Sequence, residues 1–244
     1  MQRRPLALAA LALALLQALA PSAYAAGEAA SFPNKPVRLI VTYPPGGTVD
    51  AVARILGPKL SQIWGQPVVI ENRAGGGGII GAQAVLGAPA DGYTLMVDAS
   101  NHAQNPALKK RMPFDTLQSF MPVSLLLKVP NVLVVTPGFA VRSAQELIAY
   151  VKAHPNKVDY ASSGNGSSPH LAAELFALKT GAHMTHVAYR GGGPAMVDVM
   201  AGTVPVFFAS LGSSLAYIQG GKLIALASAG QRRSPVLPEV PTFA

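Results

Sequence analysis

From Val37 to Ser228 the chain alternates short runs rich in β-branched residues with longer amphipathic stretches. That alternation is the signature of βαβ units, so the chain reads as an α/β protein with mostly parallel sheets flanked by helices. Residues 37–42 read as a strand, 43–48 as a loop and 50–63 as a helix with Val52, Ile55, Leu56 and Leu60 on one face. A strand over 67–70, a glycine run at 75–78, a helix over 80–86 and a strand over 93–97 follow. The strand over 93–97 leads into a polar loop over 98–105, which holds Ser100.

The pattern then changes. Two apolar runs, 123–127 and 132–136, flank Val129-Pro130-Asn131 and are expected to be strands where the chain crosses into a second lobe. That lobe is expected to open with a helix over 144–154, where Ser143 and Glu146 form a capping box. Strands over 158–161, 184–188, 204–208 and 224–228 alternate with helices over 169–180 and 194–201, and a short helix precedes the last strand. The expected division is a first lobe over 32–120, a second over 121–228, and a segment over 229–244 that sets out for the first lobe.

The beginning of the chain carries Arg3 and Arg4, an apolar run over 6–20, and Ala23-Tyr24-Ala25. This is the layout of a secretory signal peptide over 1–25, and the apolar run is shorter than the roughly 20 residues a membrane span needs. The expected compartment is the periplasm. The chain has no cysteine, which excludes disulfides, thiolate metal sites and a lipid-modified cysteine. Burial alone must hold the fold.

A formal charge of +8 permits an anionic partner. Lys109-Lys110-Arg111 and Arg232-Arg233 are the main basic runs, and they lack the neighbouring aromatics of a nucleic-acid groove. No nucleic acid is expected as a partner.

Three segments share one design, in which a strand ends, small residues follow and a helix begins. They are Tyr43-Pro44-Pro45-Gly46-Gly47-Thr48, the loop over 162–168 with Ser162, Asn165, Gly166 and Ser167, and Tyr189-Arg190-Gly191-Gly192-Gly193. Glycine admits a close backbone approach, and free N–H groups at a helix start favour a carboxylate or phosphate. In an open α/β sheet such loops converge beyond the carboxyl ends of the strands. Ser100 and Ser210 stand at comparable strand ends and complete the candidate set.

Several motifs together give a more specific reading. Phe32-Pro33-Asn34-Lys35-Pro36-Val37, Pro44-Pro45-Gly46-Gly47-Thr48-Val49-Asp50, Val69-Ile70-Glu71-Asn72-Arg73, Asp91-Gly92-Tyr93-Thr94-Leu95 and Tyr160-Ala161-Ser162-Ser163-Gly164-Asn165-Gly166-Ser167 resemble the Bug family. These are periplasmic receptors of tripartite tricarboxylate transporters. The resemblance implies a two-lobed periplasmic binding protein of type II-like architecture that closes over a small carboxylic acid, working as a monomer with integral-membrane transporter subunits or as a sensor. It implies no cofactor, no metal and no enzymatic activity.

Carried over by position, the Pro45-Gly46-Gly47-Thr48 loop would hold a carboxylate from the first lobe. Ser167 and its neighbouring amides would answer from the second, with Tyr43, Tyr189, Arg190, Gly191 and Gly192 adding shape and donors. Asp50 matches a family acid, and both capping and ligand contact fit its place. Two positions depart from the family: Ala209, in Phe208-Ala209-Ser210, replaces a common acid, and Pro205 replaces another. An ammonium group in a closed cleft wants a carboxylate partner, so a ligand without an amine is expected. Family members continue past Pro238-Glu239-Val240-Pro241-Thr242, so the chain is expected to be C-terminally truncated, with a first sheet of low stability.

The strongest rival is an NAD(P)-dependent oxidoreductase. Gly76-Gly77-Gly78-Ile79-Ile80-Gly81 satisfies G-x-G-x-x-G, and Asp98 follows at the end of a strand, though closer than the usual spacing of about 20 residues. A hydrolase is disfavoured because there is no G-x-S-x-G elbow and the histidines show no partner pattern. His183 and His186 would face opposite sides of a strand, which argues against a shared metal. His170, in the first turn after the second loop, is open to ligand contact or to a backbone bond.

Overall fold

The computed structural model describes residues 32–243, and the leader expected over 1–25 lies outside them. The first sheet contains β1 (Val37–Val41), β2 (Val68–Asn72) and β3 (Thr94–Val97) in the order β2-β1-β3, all parallel. Strand β1 is central and buried along almost its whole length, which is why it reads as a continuous apolar run instead of an alternating one. Helix α1 (Thr48–Trp64) follows β1 and ends at Gly65, whose left-handed backbone (φ 63°) closes the helix as glycine does at low cost. A 3-10 turn over Gly76–Gly78 leads into α2 (Ile79–Leu86).

Two segments differ from their sequence reading. The polar loop expected over 98–105 is in large part a helix, α3 (Asn101–Leu108). Its apolar periodicity is weak, and it is held by tertiary contacts: Asn101 and Asn105 are buried, and Asn105 Nδ2 donates to the Gly77 carbonyl at 2.9 Å. The strand expected over 123–127 does not form. Val123, Leu125 and Leu127 are exposed by 84, 71 and 41%, and no strand pairs with this run among the described residues. An apolar run becomes a strand only where a ladder partner satisfies its backbone.

The second sheet has the order β6-β5-β7-β4-β8, built from β4 (Asn131–Val135), β5 (Asp159–Ser162), β6 (Thr185–Ala188), β7 (Val206–Ser210) and β8 (Ile224–Ser228). Strands β5, β6 and β7 run parallel, whereas β4 is antiparallel to both its neighbours. Four helices flank the sheet: α4 (Ala144–Ala153), α5 (Ser168–Thr180), α6 (Gly192–Ala201) and α7 (Leu211–Gln219). At the start of α4, the Ser143 side chain accepts from Glu146 N–H, as the capping box requires. The Glu146 carboxylate reaches one residue further back, to Arg142 N–H at 2.7 Å.

The segment expected to leave for the first lobe stays on the second sheet through Phe243. Thr242 bridges in parallel to Ser228, Leu237 and Val240 pack on the sheet's core, and the Phe243 ring lies against Phe176 and Phe208.

Burial is unequal between the sheets. Leu133, Leu147, Tyr160, Phe176 and Phe208 lie in a cluster on one side of the second sheet, and Val132, Val134, Phe207, Met196 and Leu223 in a cluster on the other. The first sheet's fully buried cluster is Leu39, Val41, Ala53 and Val97. Each fully buried aliphatic side chain contributes about 1.5–3 kcal/mol. Hydrogen–deuterium exchange is therefore expected to leave β4 and β7 amides the most protected and to exchange β2 and β3 at markedly lower opening free energy. Equal protection of the two sheets would contradict that ranking.

Candidate functional site

All three loops singled out in the sequence begin at carboxyl ends of strands: 43–47 follows β1, 163–167 follows β5, and 189–191 follows β6. Because β5 and β6 are parallel, their loops emerge on one side, and the first sheet presents its β1 loop to them.

The first loop is braced from below by Asp50, in the first turn of α1. Its carboxylate accepts from Gly46 N–H (3.1 Å) and Arg54 Nε (2.9 Å) through Oδ2, and from Asn72 Nδ2 (2.9 Å) through Oδ1. Asn72 also donates to the Tyr43 carbonyl at 2.9 Å, so β2 and α1 together set the loop's shape. Burial alone would lift the Asp50 carboxyl; the bonds from Arg54, Asn72 and Gly46 outweigh it and hold Asp50 below the ordinary carboxylate value. With every contact spent inside the lobe, Asp50 serves as a brace.

Tyr43 is buried, and its hydroxyl is enclosed without a hydrogen-bond partner. Burial, helped by the charge of Asp98, pushes its ionisation far up, so the phenol remains a donor. Asp98 directly follows β3 and accepts from Thr42 Oγ1 (2.6 Å) and Ala99 N–H (2.7 Å); burial nonetheless raises its pKa above the ordinary value.

The second loop is held by Ser162 and Ser167. Ser162 is fully buried beneath the loop, with Oγ 2.6 Å from His186 Nε2 and accepting from Gly164 N–H at 3.0 Å. Ser167 caps α5 by accepting from His170 N–H at 3.4 Å, which leaves its O–H free to donate elsewhere. His170 takes the backbone role, as its Nδ1 accepts from Gly166 N–H. Asn165 is exposed at the loop tip.

In the third loop the Tyr189 hydroxyl donates to Asp198 Oδ2 at 2.6 Å, and burial with that bond pushes its pKa up to about 12. Arg190 is exposed. Gly191 caps α6 with no side-chain bond, so the first amides of α6 have no capping side chain.

The first and third loops touch. A methyl group at Gly47 would lie 3.6 Å from Gly193 N and 3.8 Å from Gly192 N; one at Gly191 would lie 2.6 Å from Pro44 Cδ, and one at Gly193 only 2.5 Å from the Pro45 carbonyl oxygen. A second point of approach joins α3 to the second loop, where a methyl at Gly166 would lie 2.5 Å from Leu108 Cδ1. The amino ends of α1 and α6, neither with a side-chain cap, thus face each other across the junction. A cavity of about 310 Å3 beside this junction is lined by Pro45, Gly46, Gly193, Pro194, Met196 and Tyr217.

Of the expected site residues, Tyr43, Pro45, Gly46, Gly47, Gly191 and Gly192 gather at the junction, and Thr48 begins α1 there. Ser100 is exposed at the start of α3, and Ser210 spends its carbonyl on the hydroxyls of Ser213 and Ser214. Pro44 and Gly193 lie in the loops named from the sequence but outside the set carried over by position, and Leu108 was not singled out, because it matters through the opposite lobe. Ala209 is fully buried in the apolar cluster that includes Ala195 and Leu211, so β7 brings no charge to the loops. Among the described residues no lysine or arginine is buried.

The dinucleotide motif is occupied by the protein itself. A methyl at Gly78 would lie 2.9 Å from Asp98 Oδ1, one at Gly81 2.8 Å from the Arg73 carbonyl, and Gly77 faces Asn101 and Asn105. These glycines serve internal packing and leave no room there for a pyrophosphate. No group of three or more His, Cys, Asp or Glu that could hold a metal occurs among the described residues, and none of their helices is long and apolar enough to cross a membrane.

Two α/β lobes meeting at the carboxyl ends of their parallel strands, with amide-rich loops at the junction, define the class of two-lobed periplasmic binding proteins. Residues 52–244 match the tripartite tricarboxylate transporter family receptor. The chain is 42% identical over 219 residues to BugT of Bordetella pertussis, covering 89% of this chain and 67% of that one. It superposes on the structure of Rhodopseudomonas palustris Rpa4515 with adipate at TM-score 0.85 and 37% identity, and on MatC of the same organism with bound malate at 0.80 and 30%. Those alignments cover 87 and 86% of this chain, and 72% of each of those chains. The chain thus spans about two thirds to three quarters of its relatives' length, and it belongs to the tripartite tricarboxylate transporter receptor family, which includes the Bug proteins.

Proposed function

We propose that this chain is the ligand-capturing part of a periplasmic receptor that closes over a small dicarboxylate lacking an amino group, for uptake through membrane transporter subunits. The observation that carries the reading is the approach of the helix starts of α1 and α6, neither with a side-chain cap, close enough that a methyl on Gly47 would touch the Gly192 and Gly193 nitrogens. Free amides from different lobes can donate to the same anion, so a carboxylate held by both favours closure. With no buried lysine or arginine among the described residues, recognition falls to amides and hydroxyls, and the Tyr43 phenol and the Ser167 O–H are side-chain donors within the loops. Ala209 offers nothing to an ammonium group. Adipate and malate, held by two structural relatives, fit that chemistry. The receptor works as a monomer, and its membrane partners respond to the closed shape.

A thermal-shift screen followed by calorimetry tests this. Adipate, malate or another small dicarboxylate is expected to raise the melting temperature with concentration, at about 2.7 kcal/mol of added stability for a ligand at 100 times its Kd. Glutamate and aspartate are expected to do much less. Stabilisation by NAD(P) or by amino acids alone would reject the reading.

A further inference from the structure

Beneath the 163–167 loop lies a column of rings that carboxylate binding does not account for. His186, on β6, stacks on Tyr160 of β5 (ring centroids 4.9 Å apart, planes at 17°) and on His170 of α5 (4.2 Å, 21°). Both imidazoles are tied to the loop. Gly166 N–H donates to His170 Nδ1 at 3.1 Å. A backbone amide can only donate, so Nδ1 carries a lone pair and neutral His170 holds its proton on Nε2. His186 Nε2 meets Ser162 Oγ at 2.6 Å, and that hydroxyl in turn is bonded to Gly164.

The charged and titratable groups around His170 are few. Glu174, on its own helix, places Oε1 3.8 Å from Nε2; His186 faces it from β6; and Tyr160, on β5, donates to the same Glu174 oxygen at 2.6 Å. The stacked rings cannot both hold a proton without repulsion. Burial, and then the neighbouring His170, lower the pKa of His186.

We propose that His170 is a proton-operated positioning residue for the ligand loop: neutral, it holds the Gly166 amide in place, and protonated at Nδ1 it releases that amide, so that carboxylate affinity falls on acidification. The inference rests on the reading of 163–167 as a carboxylate-binding loop. A protonated ring has no acceptor, and its Nδ1–H would point at the Gly166 N–H, so one of them must move. Gly166 has little freedom to absorb the change smoothly. Its φ of 72° is a glycine conformation, and Leu108 of the opposite lobe lies against it. Any shift there therefore disturbs the contact between lobes as well as the loop.

The test pairs the wild type with His170→Asn, whose Oδ1 can accept the Gly166 N–H but does not titrate. Calorimetry with adipate, or with malate if it binds more tightly, is made at about pH 8 and about pH 6. Wild-type affinity is expected to fall roughly three- to tenfold, the worth of one hydrogen bond. H170N, whatever its absolute affinity, is expected to show only the smaller fall that protonation of the ligand itself causes in both proteins. Without ligand, the Gly166 amide resonance is expected to titrate in the wild type and stay flat in H170N. A Gly166 amide silent to pH, or a fall in affinity that persists in full in H170N, overturns the proposal. A Gly166 amide that titrates in a protein binding no carboxylate at either pH instead rejects the receptor reading and leaves the loop's coupling to His170 supported.

Discussion

Gly193→Ala is expected to weaken carboxylate binding by at least tenfold, about 1.4 kcal/mol, while leaving the melting temperature of the free protein unchanged or slightly raised. Gly193 is the second residue of α6, in a backbone conformation open to any residue, and alanine is the better helix former by about 1 kcal/mol. The added methyl therefore does no local harm. Its cost arises only when the lobes meet, because it would sit 2.5 Å from the Pro45 carbonyl oxygen and 3.2 Å from the Gly46 carbonyl carbon, both backbone atoms of the opposite lobe. Backbone cannot swing aside as a long side chain can, so the lobes must stay further apart and the two helix starts no longer converge on one anion. Gly138→Ala is the control, since nothing lies within 4 Å of its added methyl. Calorimetry and thermal melts on both variants check the expectation, and wild-type affinity in G193A would show that the bound lobes do not approach this closely.

Asp50→Ala is expected to destabilise the protein by about 2–3 kcal/mol, because a buried acceptor of three hydrogen bonds is lost and Asn72 must find new partners. Urea denaturation measures the loss. Binding should weaken with it, since the 43–47 loop loses the bond that fixes Gly46. The pH dependence has a definite sign. The folded pKa of Asp50 is depressed, so its contribution is fully present above the unfolded carboxylate value and is lost as pH falls through the folded one. Acid should therefore destabilise the wild type more than D50A over that window, and parallel acid profiles would show that Asp50 is not the brace described above.

The two segments that defied sequence reading did so for a common cause. Helix α3 has little apolar periodicity; what makes it a helix is that Asn101 and Asn105 are buried and Asn105 finds a carbonyl partner on the 3-10 turn, 28 residues away in the chain. Residues 123–127 form an apolar run of strand length and lack a neighbour to pair with among the described residues. Propensity is a property of a segment, whereas a ladder or a buried amide is a property of two. The Gly76–Gly81 motif erred in the other direction: its glycines are required, but by Asp98, Asn101, Asn105 and the Arg73 carbonyl.

What local chemistry controls was readable from the residues alone. The βαβ alternation, the loops at strand ends, the Ser143 cap and the glycine-rich helix starts depend on backbone sterics and on side chains a few positions apart, and those spacings are written in the chain. Which glycines face the opposite lobe, why Asp50 braces instead of binding, and how His170 comes to hold the Gly166 amide while stacked on His186 are facts of the tertiary structure. They rest on atoms distant in sequence meeting within about 4 Å, where packing and hydrogen bonding act, and no one-dimensional pattern carries that distance.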